Sequence, residues 1–375
     1  MVREKLISYI QLINTNGIGP IGFKRLMARY GNIDEALQEI SKKKVIFPRK
    51  KAEEEVMKAE IKGVQLILFD DKFYPYNLKQ IEDFPPILYA KGNIELLKND
   101  NMLAVVGSRN ASLSAMKLAE NIARNIADNN ITIVSGMARG IDKAAHKGAI
   151  GRGGNTIAVM GTGIDIIYPQ ENEDLYKEII KKDGLILTEY AFHTRPQASN
   201  FPRRNRIVSG LSKGVLVIEA GIQSGSLITA HQALEQGRDV YAVPGAPYDT
   251  RSAGCNKLLK EGAQLVDTHE DILEYFNFSP LQFVARNIEK EEISNLFEYS
   301  LDKQENNSDI PEQKEETEKE DKYAKLLSLI SASGEDIDEL IRAMQQPAEE
   351  VLMTIVELEL DNKIIRLPGN RVAKI

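Results

Sequence analysis

The chain is short of several things. It has no tryptophan and a single cysteine, Cys255, among 375 residues. A lone thiol excludes an intramolecular disulfide and a cysteine-built zinc site, and it fits a reducing compartment. No run of about 18 apolar residues occurs, which excludes a transmembrane helix. The charged, amphipathic start Met1–Ile10 argues against a signal peptide. A cytoplasmic protein without membrane insertion is therefore expected. Also missing is any surplus of cations: 48 Lys+Arg face 55 Asp+Glu, a formal net charge of −7. Taken alone, that balance argues against a nucleic-acid partner. What is present is ordinary for a folded protein, with 42% hydrophobic and 27% charged residues. At roughly 100–200 residues per domain, two or three domains are expected.

The charge is not spread evenly. Residues 1–62 sum to +5, whereas 279–320 hold five basic and twelve acidic residues. The stretch Glu289–Glu320 is poor in apolar residues and rich in Glu, Lys, Gln and Asn, so it reads as a solvated polyampholyte linker. The whole negative balance then belongs to a tether. The expected organisation is a helical domain at 1–62, an α/β domain at 63–278, the linker at 279–320 and a small domain at 321–375.

Periodicity supports that division. Leu6, Ile7, Ile10 and Ile13 recur with a helical period, Gly17-Ile18-Gly19-Pro20 breaks it, and Ile21–Tyr30 resumes it. Two short helices around a Gly-Ile-Gly turn look like a helix-hairpin-helix. There Gly17 and Gly19, with Lys24 and Arg25, form a secondary DNA-contact candidate through phosphates. The alternative is a helical bundle whose glycines only permit a corner. From Met102 onward, short apolar runs alternate with helical stretches, the pattern of a doubly wound, mostly parallel α/β sheet. Leu66–Tyr89 adds a strand followed by an irregular segment. After the linker come three helical stretches and a hairpin turning at Pro368-Gly369-Asn370, the layout of a winged helix. Its third helix carries Glu349, Glu350, Glu357 and Glu359, which would oppose DNA phosphates, so a protein-interaction role is favoured for this domain over the alternative, backbone contact through Arg366, Arg371 and Lys374 on the wing.

In an open α/β sheet, ligands bind beyond the carboxyl ends of the strands. Those ends here are small, polar turns: Gly107-Ser108-Arg109, then Ser135-Gly136, then Gly161-Thr162-Gly163, and finally Ser224-Gly225-Ser226. None completes a nucleotide fingerprint. Gly161-x-Gly163 lacks the third glycine of the dinucleotide pattern, and no Walker lysine precedes Ser224. The histidines His146, His193, His231 and His269 have no metal-ligand spacing, so no metal or other cofactor is expected. What remains is a basic cluster, Arg195, Arg203, Arg204 and Arg206, beside Phe201 and Asn205. Guanidinium groups next to a stacking ring suit single-stranded nucleic acid. From spacing alone the same residues also suit a helix whose arginines pair with carboxylates and whose Phe201 is core.

Taken in order, the motifs carry a resemblance. Gly107-Ser108-Arg109, Ser135-Gly136-x-Ala138-x-Gly140-Ile141-Asp142, Gly161-x-Gly163-x-Asp165, Phe201-Pro202-x-Arg204-Asn205-Arg206 and Ala242-Val243-Pro244-Gly245 resemble the DNA-processing protein A (DprA/Smf) family. The resemblance implies an extended Rossmann-like fold with a helical N-terminal domain and a C-terminal winged helix. It implies a cytoplasmic homodimer, not an enzyme, that binds single-stranded DNA and helps load RecA recombinase during natural transformation. Carried over by position, the family's DNA pocket falls on Gly107, Ser108, Arg109, Ser135, Gly136 and Phe201–Arg206. Many members have a lysine just before the Phe-Pro pair, where this chain has Gln197-Ala198-Ser199-Asn200, which shifts phosphate contact toward Arg195 and Arg203. The fold is also similar to that of phosphoribohydrolases, for which Glu219, Ser224-Gly225-Ser226 and Thr229 stand in a comparable place. Those enzymes carry a Pro-Gly-Gly-x-Gly-Thr turn that is missing here.

Overall fold

The computed structural model describes residues 2–151, 155–277, 323–361, 363–367 and 370–374. The expected linker at 279–320 lies outside the described residues. Four helices lead the chain: α1 (Val2–Ile13), α2 (Pro20–Tyr30), α3 (Ile33–Ser41) and α4 (Arg49–Lys62). The break between α1 and α2 has a local cause. Gly17 sits at φ 75°, a conformation that side chains resist, and Pro20 starts the next helix without needing an amide partner. Tyr9 on α1 and Phe23 on α2 pack against Phe69 in tilted and edge-to-face arrangements, their centroids 5.5–6.0 Å apart, and so fasten this helical head to the segment that follows.

That segment opens a nine-stranded sheet. Its strands are β1 (Gln65–Leu68), β2 (Ile87–Gly92), β3 (Met102–Val106), β4 (Thr132–Ser135), β5 (Thr156–Val159), β6 (Leu185–Thr188), β7 (Gly214–Val217), β8 (Asp239–Ala242) and β9 (Gln264–Leu265), in the spatial order β1-β2-β6-β5-β4-β3-β7-β8-β9. From β6 to β9 in that order every pairing is parallel, whereas the β1–β2 and β2–β6 pairings are antiparallel, so β2 alone runs against the rest. Between strands lie α6 (Leu113–Asp128), α7 (Ile141–Ile150), α8 (Glu173–Lys181), α9 (Asn200–Leu211), α10 (Gly225–Glu235) and α11 (Ala253–Lys260), with α5 (Tyr76–Lys79) in the extension and α12 (His269–Asn277) after β9. The sheet is buried on both faces. Met102, Ala104 and Val106 of β3 enter one core, while Leu103 and Val105 enter the other. Strand β2 is a departure from the sequence expectation. Pro85-Pro86 is irregular as read, yet the strand begins directly after it: Ile87–Ala90 is wholly buried and pairs with β1, and Tyr89 and Ala90 also pair with β6.

The sheet has a topological switch. From β3 the chain moves by α6 to β4 on one side, and from β7 it moves by α10 to β8 on the other. Strands β3 and β7 are neighbours, paired from Leu103↔Gly214 to Val106↔Val217. Their loops therefore diverge and leave a crevice beyond the carboxyl ends.

The last domain is a winged helix. Helical residues 323–329, Ile337–Met344 and Ala348–Leu360 pack on a three-stranded sheet of β10 (Glu335–Asp336), β12 (Arg371–Lys374) and β11 (Ile364–Leu367). Leu326, Leu340, Ile355 and Val372 lie in its core, and Leu113 of α6 packs against it. The pairing of β10 with β12 was not legible in the sequence, because two residues carry no period.

Candidate nucleic-acid interface

The crevice between β3 and β7 is a cleft of about 980 Å³. One wall is the turn after β3, Gly107–Asn110. The other is the turn after β7, Gly221–Ser226, which leads into α10. Ser224 caps α10 by accepting from the Ser226 amide, so the positive end of that helix faces the cleft, and nothing lies within 4 Å of where a Gly225 Cβ would sit. Phe201 and Asn205, on the first turns of α9, lie between the two walls. Arg109 is exposed, and its guanidinium carbon stands 5.4 Å from the Phe201 ring centroid. A cation and a half-buried ring thus share one surface. Gly161 explains why the ring fits: a Cβ there would meet Phe201 Cδ1 at 2.9 Å. The Gly161-x-Gly163 turn therefore makes room for Phe201 and for the Ala191 carbonyl instead of approaching a nucleotide.

Other members of the expected set play different parts. Arg204 lines the cleft but is only 4% exposed. Its Nη1 donates to the carbonyl oxygens of Gly136 and Val159, and it lies beside the buried Asp142. Burial lowers its pKa to about 10, so it remains a cation at neutral pH. Asp142 accepts from the amides of Gly136 at 3.0 Å and Ala138 at 3.3 Å, and burial holds its carboxyl above the usual range despite Arg204. Gly136 is required where it stands, because a Cβ would come 2.5 Å from Arg204 Nη2. Two amides expected to hold phosphates are already used. Ser108 N–H donates to the Glu219 carbonyl at 2.7 Å, and Gly136 N–H donates to Asp142. The Ser135 hydroxyl donates to the Val105 carbonyl at 2.6 Å and does not line the cleft.

Arg206, also 4% exposed, points elsewhere. It pairs with Glu189 and with Asp83 at 3.1 Å, joining α9 to the end of β6 and to the extension. Arg203 is exposed, lies 3.6 Å from Glu189, and lines a smaller groove of about 230 Å³ with Gly19, Pro20 and Pro85. Arg195 is exposed in the loop before α9, outside the cleft wall. In the helical head, Lys44 Nζ donates to the carbonyl of Asn16 at 3.1 Å and packs where a Gly17 Cβ would sit. Lys24 lies over the Phe84 ring at 5.7 Å, and Arg25 is exposed. The structure thus gathers Gly107, Ser108, Arg109, Gly136, Phe201, Arg204 and Asn205 around one cleft. Arg195, Arg203, Arg206 and the helical hairpin lie outside it.

Sequence reasoning passed over Thr250, Arg251 and Ser328. The first two reach the cleft from the loop after β8, and Ser328 reaches it from the winged helix. Their proximity depends on how elements pack across the sheet, so no local motif marked them. Lys374, one of the wing cations that the sequence offers for backbone contact, also lines the cleft. Glu219 is buried behind the wall, where its carboxylate accepts from the Ser112 hydroxyl at 2.6 Å and the Ser112 amide at 3.1 Å. Burial raises its pKa against the effect of that hydroxyl. No cluster of three metal-binding side chains occurs among the described residues.

A Rossmann-like sheet with a cationic, partly aromatic cleft at its switch point defines the class, an α/β protein with a lined crevice beyond its strand ends. Comparison with known proteins makes this more specific: the chain belongs to the DNA recombination-mediator protein A family, whose model matches residues 65–277. The models of the DprA-like N-terminal HHH domain and the DprA winged helix domain match 3–62 and 311–370. DNA processing protein DprA of Streptococcus pneumoniae is 48% identical over 208 residues, 56% of this chain and 73% of that protein. Protein Smf of Escherichia coli is 39% identical over 326 residues, 87% of this chain and 82% of its own. Among solved structures, the S. pneumoniae DprA has a TM-score of 0.64 at 36% identity, covering 72% of this chain and 99% of that one. DNA processing protein A from Helicobacter pylori, whose structure addresses a single-stranded DNA binding mode, has a TM-score of 0.52 at 29% identity, covering 57% and 96%.

Proposed function

We propose that the cleft binds single-stranded DNA and that the chain acts as a recombination mediator. The observation that carries this is Arg109 over Phe201 at the mouth of a cleft facing the N-terminus of α10. Phosphates sit against Arg109 and the α10 amides, while bases stack on the exposed side of Phe201. Arg204 supports the floor electrostatically, because burial keeps its guanidinium on the carbonyls of Gly136 and Val159. Binding of this kind tolerates sequence and weakens with salt.

In the fuller reading, the protein is a cytoplasmic homodimer that places RecA recombinase on incoming single strands during transformation, and it acts by binding, not by catalysis. Glu219, the carboxylate a phosphoribohydrolase would need, is buried and held by Ser112, which favours the binding role. Two measurements test these proposals. Anisotropy of a labelled oligothymidylate should show weaker binding for Arg109→Ala, and unchanged affinity sinks the cleft assignment. RecA filament growth on protein-coated single strands should speed up on adding the full chain; no acceleration removes the loading role.

A further inference from the structure

The winged helix does not stand apart from the cleft. Two of its residues, Ser328 and Lys374, line it together with Arg109 and Arg251. We propose that the winged helix is a third wall of the cleft and that Lys374, on its last strand, contacts a phosphate of the polynucleotide. This rests on the single-strand reading of the same cleft.

The wing carries three cations, and two are occupied within their own domain. Arg366 pairs with Glu359 at 3.0 Å, and Arg371 donates to the carbonyls of Ser333 and Gly334 at 2.8 and 2.9 Å. Lys374 is exposed and forms no ion pair among the described residues. A lysine ammonium offers three donors on a flexible stem, which suits a phosphate that shifts along a groove. Glu350, Glu357 and Glu359 of the acidic helix do not line the cleft. The docked orientation therefore turns a cation toward the ligand and the acidic helix away from it.

The docking is specific and polar. Two serines at the start of α6, their hydroxyls 3.2 Å apart, bond to different domains. Ser112 Oγ donates inward to Glu219, and Ser114 Oγ donates outward to Glu335 of the winged helix at 2.8 Å. Glu335 is 4% exposed, so this contact is sheltered. Lys117 pairs with Glu339, and Leu113 enters the winged-helix core cluster. Across the cleft, Arg251 grips Asp249 and donates to the Ser328 carbonyl at 3.3 Å. Contacts from α6 and from the loop after β8 thus hold the domain on two sides of the site.

The test is salt-titrated anisotropy of the full chain with a labelled oligothymidylate. Lys374→Ala should weaken binding by roughly threefold at 0.1 M salt and reduce the log–log salt slope by about 0.7. Lys363→Ala, which removes a cation paired with Asp361 away from the cleft, should do neither. The charge-neutral double variant Leu113→Ala/Ser114→Ala loosens the docking. It should lose the same affinity as Lys374→Ala, with no further loss when the two are combined. A reduced slope for Arg109→Ala with an unchanged one for Lys374→Ala overturns the third wall and leaves the cleft reading standing. No effect from either variant removes the cleft reading itself. Equal losses from Lys374→Ala and Lys363→Ala mean diffuse attraction only, and a gain of affinity on loosening makes the domain an obstruction. Either outcome overturns the proposal.

Discussion

At the scale of single residues, the arginines of α9 divide by burial. Arg204 and Arg206 are equally buried, and removing either leaves carbonyls or carboxylates without a partner in a dry interior. Arg204→Ala should lower unfolding stability by about 3–5 kcal/mol, because the buried carbonyls of Gly136 and Val159 lose their donor and the buried Asp142 loses the attraction of a nearby cation. Arg109→Ala should leave stability within about 0.5 kcal/mol while weakening single-strand binding. Denaturant unfolding of both variants separates the two roles, and equal stability losses would contradict the division. His146 supplies a pH test. Thr156 Oγ1 donates to the Ile133 carbonyl, so His146 Nδ1–H is the donor to Thr156 and its Nε2 is left unprotonated without a partner. Burial, aided by Arg204, drops its pKa to about 3. Below the unfolded value near 6.5 the unfolded chain binds the extra proton, so stability falls as pH drops through that window, by about 1.4 kcal/mol per unit. His146→Gln should flatten the slope of unfolding free energy between pH 5 and 6.5; an identical slope would refute the assignment.

At the scale of elements, the site depends on how strand ends meet helix starts. Ser112 caps α6 by accepting from the Ala115 amide and also donates to Glu219 at the end of β7. Ser112→Ala should therefore lower stability by about 2–3 kcal/mol, more than a surface cap, since a buried carboxylate loses its hydroxyl donor and keeps only the Ser112 amide. Thermal melting compared with Ser224→Ala checks this; the simpler cap at α10 should cost about 1 kcal/mol. Most of these elements were legible because their apolar periods are strong, as for β3, β7 and α6. The turns after the strands were legible because only small or polar residues fit there. What the residues leave open is which arginine of α9 faces the cleft. Arg203, Arg204 and Arg206 lie within four positions, and the choice is made by Asp83, Glu189 and the Gly136 carbonyl, which come from three distant segments.

At the scale of the whole molecule, two appended domains adjoin one sheet. The helical head is joined through Tyr9, Phe23 and Phe69, and the winged helix through Leu113, Ser114 and Lys117. Leu113→Ala should loosen the winged helix without unfolding the sheet. Hydrogen exchange should quicken at residues 323–367 and stay unchanged along β3–β7, whereas uniform quickening would mean a global loss of stability.

The linear chain determined the class of fold, the division into helical head, sheet and winged helix, and the small, polar turns beyond the strand ends. Hydrophobic period and backbone freedom are local properties, and they are written along the sequence. The tertiary structure alone decided which cations are available. Charge is read by what lies opposite in space. Arg206 meets Asp83 and Glu189, Arg204 meets buried carbonyls, and Lys374 of the winged helix reaches a cleft lined mainly by the turns of the sheet domain. An overall charge of −7 therefore coexists with a cationic cleft, because the sum of charges carries no information about where they face.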